Sequence, residues 1–205
     1  MDQSFVVKVK DIYEFITINS GNIAAYSKGI LDLKEVYSTV TDEEFAKQIL
    51  DIITTTEKAI AISNPKDRDD SIALQYIKVK QFVKDYASCV LSELQSGLEK
   101  TNIEDFTIKS NDGYSLVLAG SFDQCYYHDV EVTFSDLQFI VCPGQFFSVG
   151  KFRFANEAEI DSISKITHGF EREGFVVCME EAFGEAKYFI IANEVSVKWE
   201  KVLHY

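Results

Sequence analysis

The 205-residue chain has two prolines, one tryptophan and no block of like charges or Ser/Gly-rich tract. That scarcity of breakers and low-complexity sequence argues against a disordered chain. No apolar run approaches the roughly 18 residues of a membrane span. The opening "MDQSFVVKVKDIYEF" puts an acid at position 2 and lysines inside its apolar run, the wrong order for a secretory signal. The four cysteines, Cys89, Cys125, Cys142 and Cys178, are widely spaced. They do not form a disulfide framework, and the expected compartment is the cytoplasm. Basic residues are also scarce, 20 against 33 acids, for a net charge of −13. A direct nucleic-acid binder needs a basic footprint, and none is visible.

What is present is an ordinary globular composition with many aromatics: 16 Phe and 10 Tyr. A chain of this length buries most of its apolar surface without help from metal or disulfide. The acids are unevenly placed. Residues 1–103 carry 16 acids and 12 bases, whereas residues 104–205 carry 17 and eight. A negative field of this kind keeps a protein soluble and steers basic partners toward it.

The first hundred residues carry helical periodicity. Apolar residues recur at three and four positions from Asn22 to Ser38, and Gly21 separates this stretch from an apolar segment, Val6 to Ile18. Thr41 as N-cap with Glu44 three residues later forms a capping box for a helix that ends near Asn64-Pro65. "NPKDRDDS" reads as a turn before a long helix from about Ser71 to Lys100. The inner stripe of that helix runs through Ala73, Tyr76/Ile77, Lys80, Val83, Tyr86/Ala87, Val90, Leu94 and Leu98, with Lys80 as its interruption. Short connections between such helices predict a small bundle over residues 1–102.

After Asn102 the period falls to two. Asn111-Asp112-Gly113 is a turn signal before Tyr114–Leu118. Val130, Val132 and Phe134 alternate with Glu131, Thr133 and Ser135, and Val195, Val197 and Trp199 alternate with Ser196, Lys198 and Glu200. Asn156 caps one helix near 156–166. Six to seven strands joined by short connections predict a mainly antiparallel β domain over 103–205, as a sandwich or curved sheet. The predicted class is therefore α+β.

The densest set of reactive groups is "CYYHDVEVTF", Cys125 to Phe134. Strand parity divides it into an inward row, led by His128 and followed by Val130, Val132 and Phe134, and an outward row of Asp129, Glu131 and Thr133. Cys125 and His128 differ in parity, so a thiol–imidazole dyad here needs a bend. Cys125-x-x-His128 has a permitted zinc spacing but lacks a second close pair, because neither His168 nor His204 supplies one. The acids Glu157/Glu159/Asp161, Glu171/Glu173 and Glu180-Glu181 offer many pairs, with nothing to select one as a glycosidase pair. Phosphate-loop, dinucleotide, nucleophile-elbow and HExxH motifs are absent. Neither a cofactor nor a metal is expected.

"PGQFFSVG", 143–150, sets Phe146 and Phe147 in a loop position usually held by polar residues. Such aromatics are either anchors buried beneath the loop or, with one or both facing solvent and rimmed by polar groups, contact anchors of an interface. Together these features favour a non-enzymatic cytoplasmic interaction protein. Its most concrete form is an acidic bacterial immunity or inhibitor protein that blocks a basic toxin or nuclease. The preference for Lys over Arg, 17 to three, suits an AT-rich bacterial genome. The expected contact residues are Asp129, Glu131, Asp136, Phe146 and Phe147. One alternative is a small-molecule or carbohydrate hydrolase with a cleft near His128 and Cys125. Another is a ligand-binding β domain with a helical oligomerisation module.

Overall fold

The computed structural model describes residues 4–167 and 174–204, and the fold is α+β. Among the described residues four helices, α1 (Ser4–Ile18), α2 (Ile23–Thr39), α3 (Glu43–Ile60) and α4 (Pro65–Thr101), precede nine strands and α5 (Glu157–Thr167). None of the described helices is long and apolar enough to cross a membrane. The chain forms two compact units that divide between Tyr86 and Ala87, inside α4. The change from helical to strand period comes later, at Asn102. The last turns of α4 therefore belong with the strands, although their sequence is helical.

The helical unit closes around aromatic side chains. Phe5, Phe45, Phe82 and Tyr86 meet with ring centroids 5.4–6.4 Å apart. Tyr13 is fully buried and bonds Thr56 of α3 at 3.1 Å; burial pushes its phenol up to about 12. Three sequence expectations move by small steps. Asp42, not Thr41, caps α3, accepting from the amides of Glu44 and Phe45. Its side chain sits one residue nearer the first free N–H groups. Helix α4 begins at Pro65, six residues earlier than expected, with the Asn64 side chain accepting from the Lys66 amide at 3.0 Å. Proline suits a first helical position, where no N–H is needed. The inner stripe of α4 starts with Ile72, Val79 and Phe82, one residue before Ala73, Lys80 and Val83. Lys80 thus interrupts nothing. Its ammonium lies over the Tyr76 ring, 4.7 Å from the centroid.

The second unit contains two antiparallel sheets. One orders β5 (Phe147–Ser148), β1 (Asp105–Asn111), β2 (Ser115–Ser121), β3 (Tyr127–Ser135) and β9 (Glu194–Leu203). The other orders β4 (Phe139–Val141), β8 (Lys187–Ala192), β7 (Phe175–Glu180) and β6 (Lys151–Phe154). The β1–β2 turn has the expected chemistry: Asp112 accepts from the amides of Tyr114 and Ser115, and Gly113 takes φ +86°. Strands β1 and β5 escaped the sequence reading. The first is mostly polar, and the second is two residues long.

Phe106, Leu116, Leu118, Val130, Val132 and Phe134 are buried on one face of the five-stranded sheet. Trp199 lies against Gly97 of α4, where an added Cβ would stand 2.1 Å from the indole. Only glycine permits that approach. Helix α5 packs Ile163 against Val176 and Ile191 of the second sheet. Asn156 and Glu159 cap its start reciprocally: each backbone amide donates to the other's side chain, at 3.0 and 2.9 Å.

Candidate functional site

Three features of the β unit hold its chemistry. The first is built on β3, whose residues alternate in burial as parity predicts. His128 leads the inward row and is only 3% exposed. The pairing of β3 with β9 shifts register between His128 and Val130. The pairing of β1 with β2 shifts between Ile108 and Ser110, leaving Lys109 at the irregularity. Bulges of this kind re-aim side chains. Here they accompany a chain of contacts that crosses three strands. His128 Nε2 lies 2.6 Å from Glu131 Oε1, and the Lys109 ammonium donates to that same oxygen. On its other side, His128 Nδ1 lies 2.9 Å from His204 Nε2. His204 Nδ1 in turn lies 3.2 Å from the Gln124 carbonyl oxygen. The Lys109 contact, aided by His128, holds the Glu131 carboxyl below its ordinary range despite partial burial.

The sequence reading thus missed His204, which is brought to His128 by the pairing of Tyr127 with Leu203. This pair is not a metal site. His204 and Glu131 sit on opposite nitrogens of one ring, so they cannot converge on an ion. Among the described residues no group of three His, Cys, Asp or Glu could hold one. Nor is His128 poised as a general base, because each of the four ring nitrogens already has a partner. Cys125 is exposed in the turn before β3, its amide donating to Asp123 at 3.2 Å. Neither nitrogen of His128 is turned to that thiol.

The second feature is a groove of about 620 Å³ lined by Phe122, Tyr127, Asp129, Trp199, Glu200 and Lys201, among others. Phe122 is 67% exposed and Trp199 42%. The Lys201 ammonium lies over the Tyr127 ring, 3.6 Å from its centroid. Asp129 is the only expected contact residue found here. Phe146 is 69% exposed, but Phe147 is 6% exposed and turned inward, its ring against Tyr188. As β5, Phe147 pairs with Phe106, which fixes its side chain on the core side and removes it as a contact anchor. Strand β5 and the β3–β9 pair lie at opposite edges of the sheet. Asp136 takes φ +54° in the turn after β3 and accepts from the Asn193 amide group, so it serves the turn. Glu131 is occupied by Lys109 and His128. The five expected contact residues therefore do not form one surface.

The third feature joins three strands to α5. Arg153 of β6 donates through Nη1 and Nη2 to both oxygens of Glu159, at 2.7 and 2.8 Å. Through Nε and Nη2 it also donates to Glu180, at 2.8 and 2.6 Å. Lys187 of β8 adds a further bond to Glu159 at 2.7 Å. The Glu159 contact raises Arg153 further above its already high range and holds the Glu159 carboxyl far below its own. Beneath them, burial pushes the Cys178 thiol up to about 11, an inert core cysteine. From the many acids of the sequence the fold thus selects Glu159 and Glu180, as a clamp. His168 and the pair Glu171/Glu173 lie outside the described residues.

No protein-family model matches this chain, and no match was found among curated proteins or solved structures.

Proposed function

We propose that the chain is a non-enzymatic interaction protein whose β unit docks a basic protein. Its most concrete form is an acidic bacterial immunity or inhibitor protein that covers a basic toxin or nuclease. One observation carries the reading: the groove beside Trp199 exposes Phe122 and Trp199, next to a half-buried Tyr127 that Lys201 covers, within a rim containing Asp129 and Glu200. The unit around it, residues 87–205, holds 19 acids and nine bases, a net charge of −10. Aromatic anchors within a polar rim are the usual bearers of interface energy. A surplus of acids speeds encounter with a basic surface, while desolvated rings slow departure. Lys201 over Tyr127 models the contact inside the molecule, since a partner's lysine or arginine on these rings makes the same cation–π geometry.

Co-purification of the tagged full-length chain from its native host tests this. The expected result is one basic protein at constant stoichiometry, retained less by Phe122→Ala and by Asp129→Lys. With that partner in hand, Asp129→Lys is expected to slow association at low salt by roughly tenfold and to matter little at high salt. Phe122→Ala is expected to speed dissociation by about tenfold, equivalent to ~1.4 kcal/mol. Equal recovery by all three chains would overturn the groove as the docking surface. Recovery of no basic protein would overturn the function.

A further inference from the structure

The contacts of His128 and His204 fix a proton count. The Gln124 carbonyl only accepts, so His204 Nδ1, 3.2 Å away, carries a hydrogen. One hydrogen lies between His204 Nε2 and His128 Nδ1, which are 2.9 Å apart. Glu131 Oε1 accepts from the Lys109 ammonium, as an ionised carboxylate does, so His128 Nε2 at 2.6 Å must also donate to it. Three contacts therefore hold three ring hydrogens. Two neutral imidazoles carry two, and two imidazoliums carry four. The geometry is satisfied only by a pair with a single positive charge, its central hydrogen lying between two facing nitrogens.

We propose that His128, His204 and Glu131 form a proton-gated latch on the end of β9, closed while the two rings hold three hydrogens and opened by loss or gain of one. The latch fastens β9 to the β2–β3 turn, because His204 reaches Gln124 by its ring and Tyr126 by its amide, at 2.8 Å. Removing the central proton leaves two bare acceptors facing each other beside a buried ring. Adding a fourth sets two N–H donors head to head. Either change breaks a hydrogen bond where water cannot replace it at His128. The charged and titratable groups of the elements around the latch stand on three strands and one turn. Lys109 and Asp105 stand on β1, Tyr127, Asp129 and Glu131 on β3, and Lys198, Glu200 and Lys201 on β9; Asp123 and Cys125 lie in the turn. Strand β2 contributes no charge, and its Ala119 pairs with Glu131, leaving a low neighbour between Lys109 and that carboxylate. Trp199, Glu200 and Lys201 belong to the same β9 that the latch holds, so its opening loosens one wall of the groove. The latch itself stands or falls independently of any partner.

Long-range proton–nitrogen spectra of the ¹⁵N-histidine-labelled full-length chain, recorded in steps of pH, read the count directly. An interval with three protonated nitrogens among the four of His128 and His204 is expected; a count that passes from four to two with no such interval would overturn the proposal. Amide exchange of Val202, Leu203 and His204, corrected for intrinsic rates, supplies a second reading. Protection is expected to peak where the pair holds one charge and to fall about tenfold on both sides, the cost of one charge-assisted bond. His204→Gln, at an exposed position, retains hydrogen-bonding capacity without titrating and is expected to flatten that profile. Protection that is pH-independent in the natural chain, or an unchanged peak in His204→Gln, would overturn the latch.

Discussion

Two ionic clusters of the β unit do the same mechanical work with different cations. At one, Arg153 joins β6 to β7 and α5 by bonds to Glu180 and Glu159. At the other, His128 and Lys109 meet on Glu131, and His204 ties in the end of β9. A guanidinium keeps its charge at every pH a protein survives, and its fork fits two carboxylates at once. An imidazole gains or loses its charge near neutrality. The first cluster is therefore a permanent clamp and the second a conditional one. Both lie among antiparallel strands, so the choice of cation, rather than the type of pairing, separates the two clusters.

The strongest challenge to this contrast is Arg153→Met, which keeps the bulk and removes the fork. It leaves Glu159 and Glu180 in a half-buried space with Lys187 as the remaining cation. Unpairing buried or partly buried charges costs about 3 kcal/mol. Urea unfolding is expected to show a loss of that order, the largest of any single change here, with little dependence on pH between 6 and 8. A loss below about 1 kcal/mol would mean that the clamp is a surface ion pair of ordinary weakness.

Next in size is Glu131→Gln, expected to cost about 1.5 kcal/mol at neutral pH by replacing two charge-assisted bonds with neutral ones. Its acid limb sharpens the comparison. Lys109 and His128 hold Glu131 below its ordinary value of 4.5, and Arg153 and Lys187 hold Glu159 much further below the same value. A depressed carboxyl contributes stability above its unfolded value and loses it as pH falls through its folded one. The stability gap between the natural chain and Glu131→Gln is therefore expected to narrow soon below pH 4.5, whereas the gap to Glu159→Gln persists to stronger acid. Paired unfolding curves at stepped pH check the order; simultaneous narrowing would break it.

How much of this was legible in the sequence follows from the range of the interactions. Parity alone put His128 inward and Asp129 outward, since alternation is local to one strand. The Asn156 cap and the Asn111-Asp112-Gly113 turn were legible for the same reason. His204 and Lys109 were not, because bringing His204 to His128 and Lys109 to Glu131 requires the β1–β2–β3–β9 order and two register shifts, neither of which is written in any single segment. The Arg153 clamp draws on four elements and was equally hidden. Phe146-Phe147 shows the limit within one dipeptide. Composition marked both rings as unusual, yet only the pairing of Phe147 with Phe106 tells which ring is spent on the core. Trp199 reads in sequence as one position of an alternating strand, and no local signal tells that Gly97 brings the indole against α4.

The smallest expected effect isolates the role of Lys109. Its side chain is 45% exposed, so its ion pair with Glu131 is screened and contributes about 0.5 kcal/mol by itself. Lys109→Met is therefore expected to leave the unfolding midpoint nearly unchanged. It still removes the main cause of the low Glu131 carboxyl. Glu131 then titrates closer to its ordinary value, and the loss of stability on acidification begins at higher pH than in the natural chain. Carbon-detected titration of the Glu131 carboxyl follows this directly. An upward move of that titration with little change in stability at neutral pH would separate the two roles: Lys109 keeps the carboxylate ionised, and His128 turns that charge into a fastening. An unmoved titration would instead assign the fixing of Glu131 to His128 alone, which would make the second cluster depend on pH at its acid limb as fully as at its neutral one.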